Sequence, residues 1–172
     1  MGRENISLGI TVRKKDLDVF IDRWNQFLQT NNQDLDEDYL LTTSSFEDDT
    51  VDSDAVMYSE DEIANLFDMP TETGMLDFCR KMLHDYPDIE FDIDYYLSWD
   101  NCGETAIEEY HVGNGRISYD IMSGDYFCSE DDFDDMQEDL AELLEDDPDA
   151  QVEKIDCTYY VIANHEQGIE KL

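Results

Sequence analysis

Apolar residues along the chain recur at two periods, and each period predicts an element. Ile6, Leu8, Ile10 and Val12 alternate with Ser7, Gly9 and Thr11, the two-residue period of a half-buried strand. After Asp16, a residue suited to cap a helix, Leu17, Phe20, Ile21, Trp24, Phe27 and Leu28 follow helical spacing. The polar run 30–38 ends that helix, and residues 39–46 read as a strand. The stretch 47–62 reads as an acidic loop. Ser59 and Glu62 stand at capping-box spacing ahead of Ile63, Leu66 and Phe67, which predicts a short helix stopped by Pro70. A further helix over 73–85 turns Met75, Leu76, Cys79, Met82 and Leu83 inward, and Pro87 closes it.

The clearest alternation lies in 88–100. Ile89, Phe91, Ile93, Tyr95, Leu97 and Trp99 occupy one face, and Asp88, Glu90, Asp92, Asp94 and Asp100 the other. A turn at 100–104, a return strand over 105–112, a Gly-Asn-Gly turn and a third strand with Ile117, Tyr119 and Ile121 on one face make an antiparallel meander. A helix over 130–146 and a last strand over 151–163 follow, that strand showing Ile155, Cys157, Tyr159 and Val161 on one face. The tail from Asn164 is expected to fray. These elements describe one α+β domain over 1–172, an antiparallel sheet with helices packed on one face. The topology that fits best is a ferredoxin-like core, with an acidic loop and helical insertion across 47–87.

Charge changes this picture. Asp and Glu number 46 against 10 Lys and Arg, a net charge of −36 on 172 residues. Arg3, Arg13, Lys14, Lys15 and Arg23 come early, leaving Arg80, Lys81, Arg116, Lys154 and Lys171 for the rest. Such a field repels nucleic acid and anionic membranes and attracts basic surfaces or cations. Aromatic residues at 12% argue for a folded chain, since disordered acidic chains are poor in them. No apolar run reaches the roughly 18 residues of a membrane span, and the N-terminus lacks the apolar block of a signal peptide. A cytoplasmic location is expected, with Cys79, Cys102, Cys128 and Cys157 as reduced, mostly buried thiols.

The acids are concentrated on the 130–146 helix. Phe133, Met136, Leu140, Leu143 and Leu144 form its apolar stripe, and Asp131, Asp134, Asp135, Glu138, Glu142, Glu145 and Asp146 its outer face. Six like-charge i,i+4 pairs, from 130–134 to 142–146, would cost about 1–3 kcal/mol together. No lysine is interleaved to offset them. Asp88, Glu90, Asp92 and Asp94 repeat the theme at the about 6.5–7 Å spacing of alternate strand residues. A nucleic-acid backbone is also a regular row of negative charge. These eleven residues are the candidate partner-binding site. Tyr95, Tyr96 and Tyr126 are candidates for aromatic anchors among the acids.

Other chemistries find less support. Residues 52–62 lack the glycine of a calcium-binding EF-hand loop, and no metal site or cofactor is expected. There is no phosphate-binding glycine loop, GxSxG or HExxH, so catalysis is not expected. The acidic helix, the acidic strand row and the overall charge resemble the acidic DNA-mimic proteins of phages and mobile elements, of the antirestriction and anti-CRISPR type. That resemblance implies a small inhibitor in the cytoplasm of a bacterial host. It would bind a basic nucleic-acid-binding protein, a nuclease of a host defence system, in place of nucleic acid, without contacting nucleic acid or membrane itself. An immunity protein against a basic toxin nuclease, and a solvated acidic domain with no mimicry, remain the alternatives.

Overall fold

A computed structural model describes residues 4–31, 37–64, 72–99, 104–155 and 157–171. Strand β1 (Glu4–Arg13) leads through a 3-10 turn into helix α1 (Leu17–Asn31). Strands β2 (Glu47–Asp48) and β3 (Ala55–Ala64), helix α2 (Glu72–Asp85) and strand β4 (Phe91–Trp99) follow. Then come β5 (Glu104–Gly113), β6 (Arg116–Ser129), a 3-10 segment (Glu130–Met136), α3 (Gln137–Asp146), β7 (Gln151–Ile155) and β8 (Thr158–Lys171). All eight strands join one antiparallel sheet in the order β2-β3-β1-β4-β5-β6-β8-β7.

The expected α+β class is what the chain adopts. The run β1-α1-β2-β3-α2-β4 has the βαββαβ sequence of a ferredoxin-like core, with β1 and β3 at its centre. The strands from β5 onward extend this sheet from its β4 edge.

Two helices cover one face because each carries one apolar stripe. Phe20, Trp24 and Leu28 of α1 are buried, as are Met75, Leu76, Phe78, Cys79, Met82 and Leu83 of α2. They pack on Leu8, Ile10, Val12, Ile89, Phe91, Ile93, Tyr95, Tyr110, Val112, Ile117 and Ile121. At the centre Trp24 meets Phe20, Phe27 and Phe78 with ring centroids 5.9, 5.6 and 5.5 Å away. Asn25 holds the segment after α1: its amide donates to Leu41 O and accepts from Leu41 N, both at 2.9 Å. That pairing lets Leu41 be buried without orphaning its backbone.

Several expectations are corrected by non-local pairing. Residues 55–64 are a strand, not a loop followed by a helix: Ser59, at the expected helix start, pairs with Gly9 of β1. Ladder bonds to β1 outweigh the local capping signal here. Residues 39–46 contain 3-10 turns, and only Glu47–Asp48 pair as a strand. Asp16 lies in the 3-10 turn before α1, and its carboxylate accepts from Arg13 Nε and from the Glu90 backbone N–H. The last strand is a hairpin, β7 and β8, and residues from Asn164 to Lys171 pair along β6 rather than fray. The rest of the expected short helix (Leu66, Phe67, Pro70), the polar stop at 32–36 and the turn at 100–103 with Cys102 lie outside the described residues. So do the side chains of Leu97 and Trp99.

Two local features set the sheet's shape. Asn114 and Gly115 take φ of 54° and 71°, the left-handed pair of a two-residue hairpin turn, which fixes the β5–β6 register. Further on, the β6–β8 register shifts between Ser123 and Gly124 and again between Tyr126 and Cys128. Such bulges bend and twist a strand. The start of β8 comes over the helix-free face, with Tyr160 Oη 3.1 Å from Tyr96 Oη. A Cβ on Gly124 would sit 2.5 Å from Val161 O, closer than any real contact. Gly124→Ala is therefore expected to destabilise the protein by about 1–3 kcal/mol, the usual range for overpacking. Chemical denaturation reads this directly, and an unchanged midpoint would show that the backbone gives way here.

Candidate acidic interface

The acidic segment starts where β6 ends. Glu130 N–H donates to Cys157 O at 2.8 Å, and Ser129 Oγ lies 3.0 Å from Asp132 Oδ2. Residues 130–136 wind as a 3-10 helix rather than as the first turns of an α-helix. Three residues per turn align Glu130, Phe133 and Met136 on one side. That side meets the β7–β8 hairpin: Lys154 Nζ reaches Glu130 Oε1 at 2.7 Å, and Phe133 stacks on Tyr159 with centroids 3.9 Å apart and planes 11° from parallel. The same winding lines up Asp131 with Asp134 and Asp132 with Asp135, outward.

Only from Gln137 is the helix α. The i,i+4 pairs wholly inside it are Glu138–Glu142 and Glu142–Asp146, costing about 0.4–1 kcal/mol together. The repulsion from α-helical neighbours is thus smaller than a continuous helix would give. No residue of α3 is buried; Leu140 and Leu143 are half-buried, and Leu144 keeps 40% of its surface. Asp131, Asp134, Asp135, Glu138, Glu142, Glu145 and Asp146 are all exposed. Among the described residues from Glu130 to Asp149, only Glu130 has an ion-pair partner. Arg13, Arg23 and Arg80 are committed elsewhere, to Asp16, Asp85 and Glu170 at 2.9, 2.7 and 2.7 Å.

The strand row is divided. Asp88 and Glu90 precede β4, and Arg13 Nη1 lies 3.4 Å from Glu90. Asp92 and Asp94 stand on the helix-free face of β4, since Phe91, Ile93 and Tyr95 point into the core. Two acids absent from the sequence-derived set join them. Asp94 faces Glu109 of β5 directly, and Glu109 faces Asp120 of β6. Like charges directly opposite destabilise a sheet. Two histidines relieve part of this: His111 Nδ1 lies 2.8 Å from Asp92 Oδ1, and His165 Nε2 2.8 Å from Asp120 Oδ1. The Asp94–Glu109 pair also lines a cleft of about 520 Å³, with Gly9, Ser59 and Tyr96, walled by Ile155 from the returning hairpin. The signal for Glu109 opposite Asp120 was present in the Asn114-Gly115 turn. It places Gly113 opposite Arg116, and counting back four residues on each strand gives the pair.

Side-chain direction decides how the two acidic tracks relate. Neighbours in a strand point to opposite faces. Tyr160 meets Tyr96 on the helix-free face, so Tyr159 and its cross-strand neighbours Lys154 and Cys128 point to the helix-bearing face. The acidic segment is fastened to Tyr159 and Lys154. The helix track and the Asp92–Asp94 row therefore lie on opposite faces of the sheet. Along β6 they are also separated by the nine residues from Asp120 to Ser129, roughly 30 Å of strand. Of the three tyrosines, Tyr95 is buried, Tyr96 is half-buried against Tyr160, and Tyr126 is exposed. Cys79 and Cys128 are buried free thiols, and Cys157 is exposed.

These placements shift protonation in opposing directions. Lost hydration pushes the Asp94 carboxyl above its ordinary 3.8, with Asp92 adding to the rise and His111 opposing it. Hydrogen bonds from Lys154, Arg80 and Arg23 hold Glu130, Glu170 and Asp85 below their ordinary range. A raised acid weakens the fold once ionised, and that penalty lifts as pH falls through its folded pKa to 3.8. A lowered acid contributes stability above its unfolded value, 4.5 for Glu and 3.8 for Asp, and loses it as pH falls through the folded one. Relief of general acid repulsion acts with Asp94. Melting temperature is thus expected to rise as pH falls from neutral toward the Asp94 pKa, and to drop at lower pH as Glu130, Glu170 and Asp85 are protonated. A steady decline from neutral pH would show that paired carboxylates outweigh the repulsion.

Among the described residues, no helix is long and apolar enough to cross a membrane, and no three His, Cys, Asp or Glu side chains are grouped to hold a metal ion. No family model, curated protein or solved structure matches the chain.

Proposed function

We propose that the protein is a non-catalytic inhibitor whose segment Glu130–Asp146 occupies the basic nucleic-acid-binding surface of another protein, acting in the cytoplasm of a bacterial host. The observation that carries this is the unpaired outer face of that segment. From Asp131 to Asp146 its carboxylates stand exposed on regular helix, without a basic partner among the described residues. Helix neighbours about 5–6 Å apart present charge as a track rather than a cloud. A cleft lined with Lys and Arg releases counterions when it binds nucleic acid and would do so on this surface too. A nuclease of a host defence system is the partner class this favours. Binding would be stoichiometric, fast at low salt and weakened steeply as salt rises.

The test is capture of partners from a bacterial lysate on the immobilised protein, followed by elution with competitor DNA or RNA. The expected partner is a nucleic-acid-binding protein released by the competitor. A captured protein that neither binds nucleic acid nor is displaced by it would sink the proposal.

A further inference from the structure

We infer that α3 is a docking helix whose leucine stripe, half-buried at Leu140 and Leu143 and exposed at Leu144, enters an apolar groove rimmed by Lys and Arg on the partner. This rests on the reading that Glu130–Asp146 is the binding surface, and it adds what that surface reads besides charge. A helix that served only to display carboxylates would bury its apolar side against its own fold. In α3 no residue is buried, and Leu144 leaves 40% of its surface to solvent, although Leu140, Leu143 and Leu144 keep the i, i+3, i+4 spacing of groove anchors. The preceding 3-10 segment, through Phe133 on Tyr159 and Glu130 on Lys154, fastens the base of the helix, and α3 beyond it half-buries Leu140 and Leu143 while leaving Leu144 exposed.

Charge complementarity selects the occupant. Glu138, Asp139, Glu142, Glu145 and Asp146 surround the leucines and are exposed. A second copy docking by the same stripe would set five carboxylates against five, which like-charge repulsion opposes. A groove with an apolar floor and basic rims satisfies both features. Nucleic acid offers no such combined pattern, so a partner with this groove would favour the inhibitor over a plain polyanion.

Calorimetry with two synthetic peptides tests it: one places leucines along one face of a lysine-rich helix, and the other has the same composition in scrambled order. The full chain is expected to bind the amphipathic peptide about tenfold or more tightly than the scrambled one, the scale of one buried leucine. Leu144→Ser should lose that preference, keep the scrambled-peptide affinity and melt near the parent temperature. Equal binding of both peptides by the parent chain overturns the inference while leaving the acidic-surface reading intact. A preference that survives Leu144→Ser overturns it too. So does a large loss of melting temperature, which would assign Leu144 to the protein's own core. Sedimentation as a dimer that Leu144→Ser dissociates would give the stripe to a second copy. If neither peptide binds, the acidic-surface reading falls together with the inference.

Discussion

Replacing Asp131, Asp135, Glu138 and Glu142 together by lysine is expected to abolish partner binding without unfolding the protein. The four changes move net charge by eight, from −36 to −28, and all fall on exposed positions of one surface. Close charge pairs across a protein interface couple by about 1.5–7 kcal/mol, so reversing four should lower affinity by on the order of a hundredfold or more. Stability should hold or rise, because inside α3 the 142–146 pair changes from like to opposite charge while the 138–142 pair stays like-charged. Displacement of nucleic acid from the captured partner gives the affinity, and a melting curve gives the fold. The matched control is Asp94→Asn with Glu109→Gln, on the opposite face of the sheet. If that pair weakens binding as much as the helix variant, the partner embraces both faces and the single-surface reading is wrong.

Trp24→Ala is the change expected to damage the fold most. Trp24 is 1% exposed and lies among Phe20, Phe27 and Phe78, where α1 meets α2 over the sheet. Truncating a buried tryptophan costs about 3–5 kcal/mol, through lost transfer energy and the cavity left behind. A domain typically has about 5–15 kcal/mol in all. In a chain of this size each kcal/mol corresponds to about 2–4 °C, so the melt should fall by roughly 6–20 °C. Added salt should recover part of the loss, because screening relaxes the repulsion among carboxylates that this core must hold together. A variant melting within about 3 °C of the parent would mean that the aromatic cluster repacks around the gap.

How much could be read beforehand differs from element to element. The inward sides of α1, α2, β4 and β6 were legible, because burial of Trp24, Met82, Ile93 or Ile121 follows from a local period of 3.6 or 2. Strand β3 was not, since its capping-box pair Ser59 and Glu62 is a local signal and the ladder to β1 is not. The same holds for β8. Residues 164–171 show no apolar alternation of their own, yet they are held along β6, where Arg80 of α2 also bonds Glu170. The acidic helix was legible as a charged amphipathic stretch. Its 3-10 start was not, because that winding answers to Tyr159 and Lys154, which arrive from a later hairpin.

The eleven candidate acids were found by charge and spacing, which are properties of short stretches. Whether they act as one site is a property of the sheet. Local periodicity and charge were enough to read an α+β chain around an aliphatic and aromatic core, with a face of acids on segment 130–146. That this face and the Asp92–Asp94 row belong to opposite faces of the sheet follows only from how the strands pair. The reason is physical: the face a strand residue takes is set by pairing register, and on β6 and β8 that register passes through two bulges before it reaches Tyr159. A pattern confined to one segment carries no record of such shifts.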